Sequence, residues 1–242
     1  MRAILVSVDY ADLLAVTLPY NRKHFEDVCV VTSSADAATQ RLALAHKAKL
    51  FVTDSFYDGG ADFNKWKALE EGLDFFGREG WMCIMDADVL WPKYATVDLT
   101  MGYLHGPLRR MCNATVPAPP ESAWGTFPVH RNVNEWAGYS QVFHCADPRL
   151  PPPPWHQVDW KHAGGADSFF QALWPPEFRI RFQWDCLHLG EAGKNWFGRA
   201  TQLADGSRPV DADRKLRKVS ALWVNRRHNQ STGKDRFEGE KL

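Results

Sequence analysis

The hydrophobic and polar positions of the first hundred residues switch repeatedly between two periods, and this switching predicts an α/β domain. Short apolar runs indicate strands at residues 3–8, 28–31 and 50–53. The segments between them, residues 12–22 and 33–48, have the period of helices. Strands that alternate with helices form parallel sheets, because each helix carries the chain back to the same edge. We therefore predict successive βα units in this half of the chain.

The next helix is predicted after a glycine pair at residues 59–60. The segment DFNKWKALEEGLDFFGREG has one apolar stripe that ends at Gly77 or Gly80. The stripe comprises Phe63, Trp66, Leu69, Leu73 and Phe76. For the helix before it, Ser33 and Asp36 have the spacing of a capping box, which places the start of that helix at Ser33.

A fourth strand, residues 81–85, leads directly into Asp86 and Asp88. On an extended backbone these two side chains leave the same face, so their carboxylates converge. Hard oxygen donors of this kind suit Mg²⁺ or Mn²⁺. The alternative is a solvated loop in which one aspartate caps the following segment. The position at the carboxyl end of a strand favours the metal site, because open α/β sheets bind ligands there.

Beyond residue 100 the pattern becomes mixed, with a proline run at residues 151–154 that predicts a loop. A helical period returns in residues 164–174, and residues 177–188 alternate like a strand that ends at His188. A polar tail with a basic stretch at residues 214–227 closes the chain.

Composition narrows the class of protein. The 29 basic and 29 acidic residues cancel, so net charge indicates no obligatory nucleic acid or membrane partner. The five cysteines have no CxxC spacing, which predicts reduced thiols. No apolar run approaches the length of a membrane span and the first residues are unlike a signal peptide, so a cytoplasmic location is expected.

The order FNKWKALEEGL, strand, MDADV resembles the nucleotide-sugar-binding half of GT-A-fold glycosyltransferases. The resemblance covers residues 1–95 and implies a Rossmann-like single domain with a mixed central sheet flanked by helices. It further implies that Asp86 and Asp88 hold a divalent cation that bridges the diphosphate of a sugar nucleotide. On this basis residues 1–100 form the nucleotide-sugar-binding half, residues 101–204 the acceptor-binding half, and residues 205–242 a polar extension.

A second segment, HLGEAGKNW, is similar to the "H..G..KPW" segment of glycogenin-like retaining glycosyltransferases. The similarity implies that His188 completes the metal site and that Lys194 and Trp196 contact the donor. Here the glycine comes one position early, at Gly190, and Asn195 replaces the proline. A histidine at a strand end is otherwise a structural residue, and GEAGK is too short for a phosphate-binding loop.

Lys65 and Asp167 are further candidates. A lysine in the first turn of a helix opposes the helix dipole, whereas an anion there is favoured, so Lys65 is predicted to contact phosphate. Its alternative is a surface lysine over Trp66. Asp167 follows two glycines at a helix start, where it is either an N-cap or, as in inverting GT-A enzymes, the base that deprotonates the acceptor. Ala166 replaces the glutamate of that family's "ED" pair.

The fold resemblance places the nucleoside near the ends of the first two strands. The candidates there are Ser7, Asp9, Tyr10 and Thr32, with Asp36 either a ligand contact or only a cap. Aromatic and polar residues in the segment 124–145 also suit sugar or base stacking, or a tryptophan-rich core; they are Trp124, His130, Arg131, Trp136 and Tyr139.

These features predict an Mn²⁺- or Mg²⁺-dependent glycosyltransferase that uses a nucleoside diphosphate sugar, with a UDP-type donor favoured. The acceptor is not identified by the sequence; a modified DNA base in a bacteriophage is one candidate, because the basic tail suits phosphates. The alternatives are a nucleotidyltransferase and a non-catalytic nucleotide-sugar-binding protein. A nucleotidyltransferase would normally have a glycine-rich basic loop after strand one, and VSVDYADLL has neither feature.

Overall fold

The computed structural model describes residues 1–112, 117–130, 138–191 and 193–232. Arg131 and Trp136, two of the candidate stacking residues, lie outside these residues. The strands are β1 (Arg2–Val6), β2 (Asp27–Thr32), β3 (Lys49–Val52), β4 (Trp81–Asp86), β5 (Val89–Leu90), β6 (Leu104–Met111), β7 (Ser140–His144) and β8 (Arg179–His188). The α-helices are α1 (Ala11–Asn21), α2 (Ala37–Ala45), α3 (Lys65–Phe76), α4 (Ala166–Ala172) and α5 (Ala212–Thr232).

The eight strands form one mixed sheet in the order β3-β2-β1-β4-β7-β6-β8-β5. The first four in this order are parallel, as the βα pattern predicts. β7 is antiparallel to both β4 and β6, whereas β6 and β8 run parallel. The prediction of an α/β domain with a mixed central sheet is confirmed.

Alternate residues of each central strand pack on opposite faces of the sheet. On one face Ile4 and Val31 pack with the apolar stripe of α3, and on the other Ala3 and Leu5 pack with residues of α1. The predicted stripe of α3 is buried throughout, from Phe63 to Phe76. The Asn64 side chain caps the helix by accepting from the Lys67 N–H, and Gly77, with φ of 92°, ends it.

The start of α2 differs from the prediction. The helix begins at Ala37, and Asp36 itself is the N-cap, with its Oδ1 accepting from the Thr39 N–H at 3.0 Å. Its Oδ2 accepts from the Asp9 N–H at 2.7 Å. The capping-box prediction from Ser33 was therefore wrong, because Asp36 satisfies the free N–H of the first turn and links the helix to the end of β1.

The polar tail contains the long helix α5, which is attached to the main body by ion pairs. Lys218 Nζ lies 2.6 Å from both carboxylate oxygens of Asp62, the residue just before Phe63 at the start of the α3 segment. Lys215 Nζ donates to the Arg199 carbonyl at 3.1 Å. None of the described helices combines the length and apolar character that crossing a bilayer requires.

Candidate active site

The short strand β5 brings the two ends of the predicted metal site together. β5 follows Asp88 directly and pairs antiparallel with the end of β8, with Val89 opposite His188. The Leu189 N–H donates to the Asp88 carbonyl at 2.9 Å, which closes the pairing on the far side of His188. Residues 100 positions apart in sequence therefore become neighbours through ordinary strand pairing.

Asp86, Asp88 and His188 converge, with one potential ligand atom of each within 4.8 Å of the others. The convergence arises differently from the i, i+2 argument. Only Asp86 is on β4, whereas Asp88 lies in a turn between β4 and β5. The turn, rather than the pleat of a strand, directs the Asp88 carboxylate towards His188, whose Nε2 lies 3.5 Å from Asp88 Oδ1.

The hydrogen bonding of His188 leaves one ring nitrogen for a ligand. Its Nδ1 lies 2.8 Å from the Gly190 carbonyl oxygen. A carbonyl only accepts, so Nδ1 donates its proton there, and Nε2 is the ring nitrogen that faces the carboxylates. This is the usual arrangement of a metal-binding histidine, in which a second hydrogen bond fixes the tautomer and the ring orientation.

Lys65 is the first residue of α3, and its side chain lies beside the metal triad. Nζ lies 2.5 Å from Asp86 Oδ1, and the lysine side chain is only 12% exposed. The same Nζ lies 5.0 Å from the Trp66 ring centroid. Lys65 is therefore not a freely solvated surface lysine: it brings a positive charge to the acidic pair.

Three of the predicted nucleoside residues form a polar cluster at the ends of β1 and β2. Ser7 and Thr32 are fully buried. Ser7 Oγ lies 3.5 Å from Thr39 Oγ1, and Thr32 Oγ1 donates to Asp36 Oδ2 at 3.5 Å. Asp9 is exposed, and its backbone has a φ of 62°. Of these residues only Asp9 presents its side chain to solvent, so the buried hydroxyls shape the loop from within.

Tyr10 follows Asp9 directly and is the last residue before α1. Burial raises its pKa well above the usual value, and the charges of Asp88 and Asp86 add to the effect. The Arg199 guanidinium carbon lies 4.3 Å from the Tyr10 ring centroid. Tyr10 is therefore a predicted nucleoside residue that interacts electrostatically with the acidic pair.

Asp167 lies in the first turn of α4, but the N-cap of that helix is Gly165. Oδ2 of Asp167 accepts from the Gly138 N–H at 2.7 Å, and Oδ1 from the Ser168 N–H at 3.0 Å. Gly138 precedes Tyr139, whose carbonyl accepts from the Asp86 N–H. The capping alternative for Asp167 was therefore wrong, and the carboxylate is connected to the metal triad through one short backbone segment.

Lys194 and Trp196 follow His188 but have different surroundings. Lys194 is exposed. Trp196 is stacked between two rings, His162 at 6.4 Å and Trp223 at 5.2 Å between centroids. It also packs so closely on Gly164 that a Cβ there would lie 2.5 Å from the indole ring. The Trp196 side chain thus joins α5 to the segment before α4.

Two basic residues, His130 and Arg109, lie close to His188; His130 was among the candidate stacking residues, whereas Arg109 was not selected from the sequence. The Val129–Arg110 bridge places His130 next to Arg109, whose carbonyl accepts from the His130 N–H at 2.9 Å. Burial, together with the charges of Arg109 and His188, lowers the pKa of His130 to about 4. Within the described part of the chain Arg109 has no carboxylate partner, and its Nε is buried without a hydrogen bond.

The sheet order, the flanking helices and the acidic turn after β4 together define a GT-A-type glycosyltransferase fold. Among solved structures, the chain is similar to mannosyl-3-phosphoglycerate synthase from Rubrobacter xylanophilus, at 14% identity and a TM-score of 0.51. That match covers 96% of this chain and 74% of the synthase chain.

A further similar structure is glucosyl-3-phosphoglycerate synthase from Mycobacterium tuberculosis in complex with Mn²⁺, UDP and glucosyl-3-phosphoglycerate. It has 14% identity and a TM-score of 0.44, with 93% of this chain and 78% of that chain covered. No protein family model and no curated protein sequence matches the chain. The GT-A fold of this protein is thus recognised by its structure.

Proposed function

We propose that this protein is a metal-dependent glycosyltransferase that moves a sugar from a nucleoside diphosphate sugar to an acceptor hydroxyl. The observation that carries the proposal is the convergence of Asp86, Asp88 and His188 at the carboxyl edge of the sheet. The GT-A fold is compatible with other activities, so the proposal depends on this site rather than on the fold alone.

The residues present fit a divalent cation such as Mn²⁺ or Mg²⁺. Donor atoms about 2.1 Å from an octahedral ion lie about 3 Å apart when adjacent and about 4.2 Å apart when opposite. The separation of 3.5 Å between His188 Nε2 and Asp88 Oδ1 is near the first value. Asp86, Asp88 and His188 would hold the ion. When bound, the ion would neutralise negative charge on the departing diphosphate.

The residues around the triad supply the remaining parts of a donor site, for which we propose a UDP-type nucleotide. The ammonium group of Lys65 lies beside Asp86, where it could pair with a diphosphate bound next to that residue. Tyr10 offers an aromatic face, and Ser7, Asp9 and Thr32 are the polar residues at the ends of β1 and β2. We also propose that Lys194 and Trp196 contact the donor. The stacking of Trp196 between His162 and Trp223 would hold its ring in place.

For Asp167 we propose the role of general base toward the acceptor hydroxyl. Its carboxylate is half-buried and accepts two backbone hydrogen bonds, so the side chain is held in one orientation. A positioned carboxylate of this kind is what proton abstraction needs. An inverting displacement would require it in line with the sugar carbon.

For the acceptor we propose a small molecule that carries a carboxylate or phosphate beside its hydroxyl. The support is the charge pattern of the acceptor-side half. Arg109 lies 4.5 Å over the Tyr139 ring and has no acidic partner among the described residues, and Arg181 donates to the Pro107 carbonyl at 2.8 Å. A phosphoglycerate, as in the name of the Rubrobacter enzyme, has this chemistry. A modified DNA base has no comparable support.

The test is titration calorimetry of UDP-glucose, GDP-mannose and UDP with and without Mn²⁺, on the wild-type protein and on Asp88→Asn. We expect metal-dependent binding of one donor type and at least a hundredfold loss in the variant, because a carboxylate ligand is removed. Asp98→Asn is the matched control, since Asp98 is exposed and outside the triad. Absence of binding to every donor would rule out the proposed function.

A second measurement separates a transferase from a binding protein. Metal-dependent hydrolysis of the donor when water is the only acceptor, or transfer of its sugar to 3-phosphoglycerate or glycerate when these are added, would be the activity of an enzyme. Tight binding with neither reaction would indicate a nucleotide-sugar-binding protein. Transfer that is unchanged in Asp167→Asn would exclude Asp167 as the base.

A further inference from the structure

Arg199 lies in the loop after β8, and its side chain is completely buried, at 0% exposure. The guanidinium group reaches the end of the loop between β1 and α1 and the first turn of α1, where it makes a bidentate ion pair with Asp12, both contacts being 3.0 Å. Nη1 also donates to the Asp9 carbonyl at 3.3 Å. One side chain therefore joins two loops that are 187 residues apart in sequence.

The same contacts also fix the loop in which Arg199 lies. Nη2 donates to the Gln202 carbonyl at 2.9 Å, and the Ala204 N–H donates to Asp12 Oδ2 at 2.9 Å. The Arg199 carbonyl in turn accepts from Lys215 of α5. Asp12 thus receives three hydrogen bonds from this loop, and α5 holds the loop from its other side.

Tyr10 is the site residue that this arrangement holds in place. Its ring packs against the Arg199 guanidinium, and its neighbours on either side, Asp9 and Ala11, belong to the segment that Arg199 and Asp12 anchor. The loop that Arg199 fixes begins directly after His188. The ion pair of Arg199 with Asp12, which we call the clamp, therefore connects the nucleoside side of the proposed donor site with its metal side.

Stability alone gives a poor reason for a charged pair in this position. A largely buried ion pair loses most of the hydration of both groups, and a hydrophobic replacement of similar size is often equally stable. The Nε of Arg199 is also buried without a hydrogen bond to any described residue. A bidentate pair does, however, define the relative position of two segments more closely than apolar packing does.

We propose that Arg199 is a positioning residue for the nucleotide sugar, which locks the loop after β1 against the loop after β8 so that Tyr10 and the metal triad keep one relative geometry. The inference rests on the proposed function and goes beyond it, because it assigns donor affinity to a side chain that need not touch the donor. Lysine at this position keeps the charge but not the fork that matches Asp12.

The experiment uses the full chain and the variants Arg199→Lys and Asp12→Asn, with UDP as the probe. Calorimetry measures UDP affinity at saturating Mn²⁺, and electron paramagnetic resonance measures Mn²⁺ affinity without nucleotide. We expect UDP affinity to fall about tenfold to a hundredfold in both variants, since small displacements of binding groups have effects of this size. We expect Mn²⁺ affinity to stay within about twofold, because the triad is not touched.

Arg78→Lys is the matched control. Arg78 is also largely buried, at 10% exposure, and pairs with Glu70 and Asp74 away from the triad. It should lower the melting temperature and leave UDP affinity unchanged. UDP binding that is normal in folded Arg199→Lys and Asp12→Asn, or Mn²⁺ binding that falls in parallel, would overturn the inference. If the wild-type protein itself binds no nucleotide, the proposed function fails and not the clamp geometry.

Discussion

Gly190 is the residue next to the metal triad at which a side chain has no room. A Cβ at this position would lie 2.6 Å from Asp88 Oδ2, well inside contact distance. The carbonyl of the same residue accepts from His188 Nδ1. Gly190 therefore orients two of the three ligands, one by its carbonyl and one by its missing side chain.

We predict that Gly190→Ala lowers Mn²⁺ affinity by about tenfold to a hundredfold, the usual effect of disturbing groups that orient metal ligands. The added methyl group has to displace the Asp88 carboxylate or the loop. Metal titration monitored by electron paramagnetic resonance gives the affinity. Gly125→Ala is the control, since a Cβ there meets nothing within 4 Å. Equal affinity in the wild type and Gly190→Ala would show that Gly190 does not orient the metal ligands.

Helix α3 carries a second polar network, on the side away from Lys65. The buried Glu70 accepts from the N–H groups of Trp155 and His156, from His156 Nδ1 at 2.6 Å and from Arg78 Nη2 at 2.7 Å. The His156 ring is stacked between Trp66 and Phe170. These bonds anchor the proline-rich segment, which has no regular structure of its own, to the helix.

We predict that Glu70→Gln destabilises the protein by about 3 to 5 kcal/mol at pH 7, the range for breaking a buried ion pair. Burial opposes the charged form, but the His156 hydrogen bond and the charges of His156 and Arg78 hold the pKa of Glu70 below its usual value. The Glu70 carboxylate therefore contributes fully to the free energy of unfolding above its unfolded-state pKa of about 4.3. This contribution is lost as the pH falls through the pKa of Glu70 in the native state.

Urea unfolding between pH 7 and pH 3 measures this difference. The gap between the wild type and Glu70→Gln should narrow below about pH 4, because the wild-type carboxyl is then protonated as well. Glu79→Gln is the control, with a side chain that is 81% exposed. A gap that widens in acid would mean that the native pKa of Glu70 is raised.

At the scale of the whole molecule, the aromatic residues serve the core more than the surface. The second half of the chain contributes Trp155, Trp160, Trp174 and Trp184, all of which are buried. Cys29, Cys83 and Cys186 are buried in the same core, whereas Cys112 and Cys145 are half-buried. Burial raises the pKa of Cys29 and of Cys83 to about 12.

We predict that native protein at pH 8 reacts with Ellman's reagent only at the two half-buried thiols, Cys112 and Cys145, and that Cys145 reacts slowly. Burial raises the pKa of Cys145 to about 11, so little of it is the reactive thiolate. The three buried thiols should react only on unfolding, and all five should react in guanidinium. Fewer than five in guanidinium would indicate a disulfide, against the reduced state predicted from the sequence.

The local features of this protein could be predicted from its amino-acid sequence. The apolar periods of βα units and of α3 depend on which residues are buried side by side along one element, and these periods survive in the structure. The acidic pair at the end of β4 could also be predicted, because a strand and the turn that follows it depend on a few neighbouring residues. The start of α2 was not predicted correctly. Asp36 accepts a hydrogen bond from the distant Asp9 N–H as well as one from its own helix.

Contacts between residues that are distant in sequence could not be predicted, because they depend on the complete fold. The pairing of β5 with β8 brings His188 to Asp88, and the reach of Arg199 to Asp12 joins the loops on either side of them. Neither contact has a sequence period, because each depends on how the whole sheet orders its strands and where the chain returns. The candidate ligands could be predicted from the sequence, but the geometry that brings them together as a site comes from the fold.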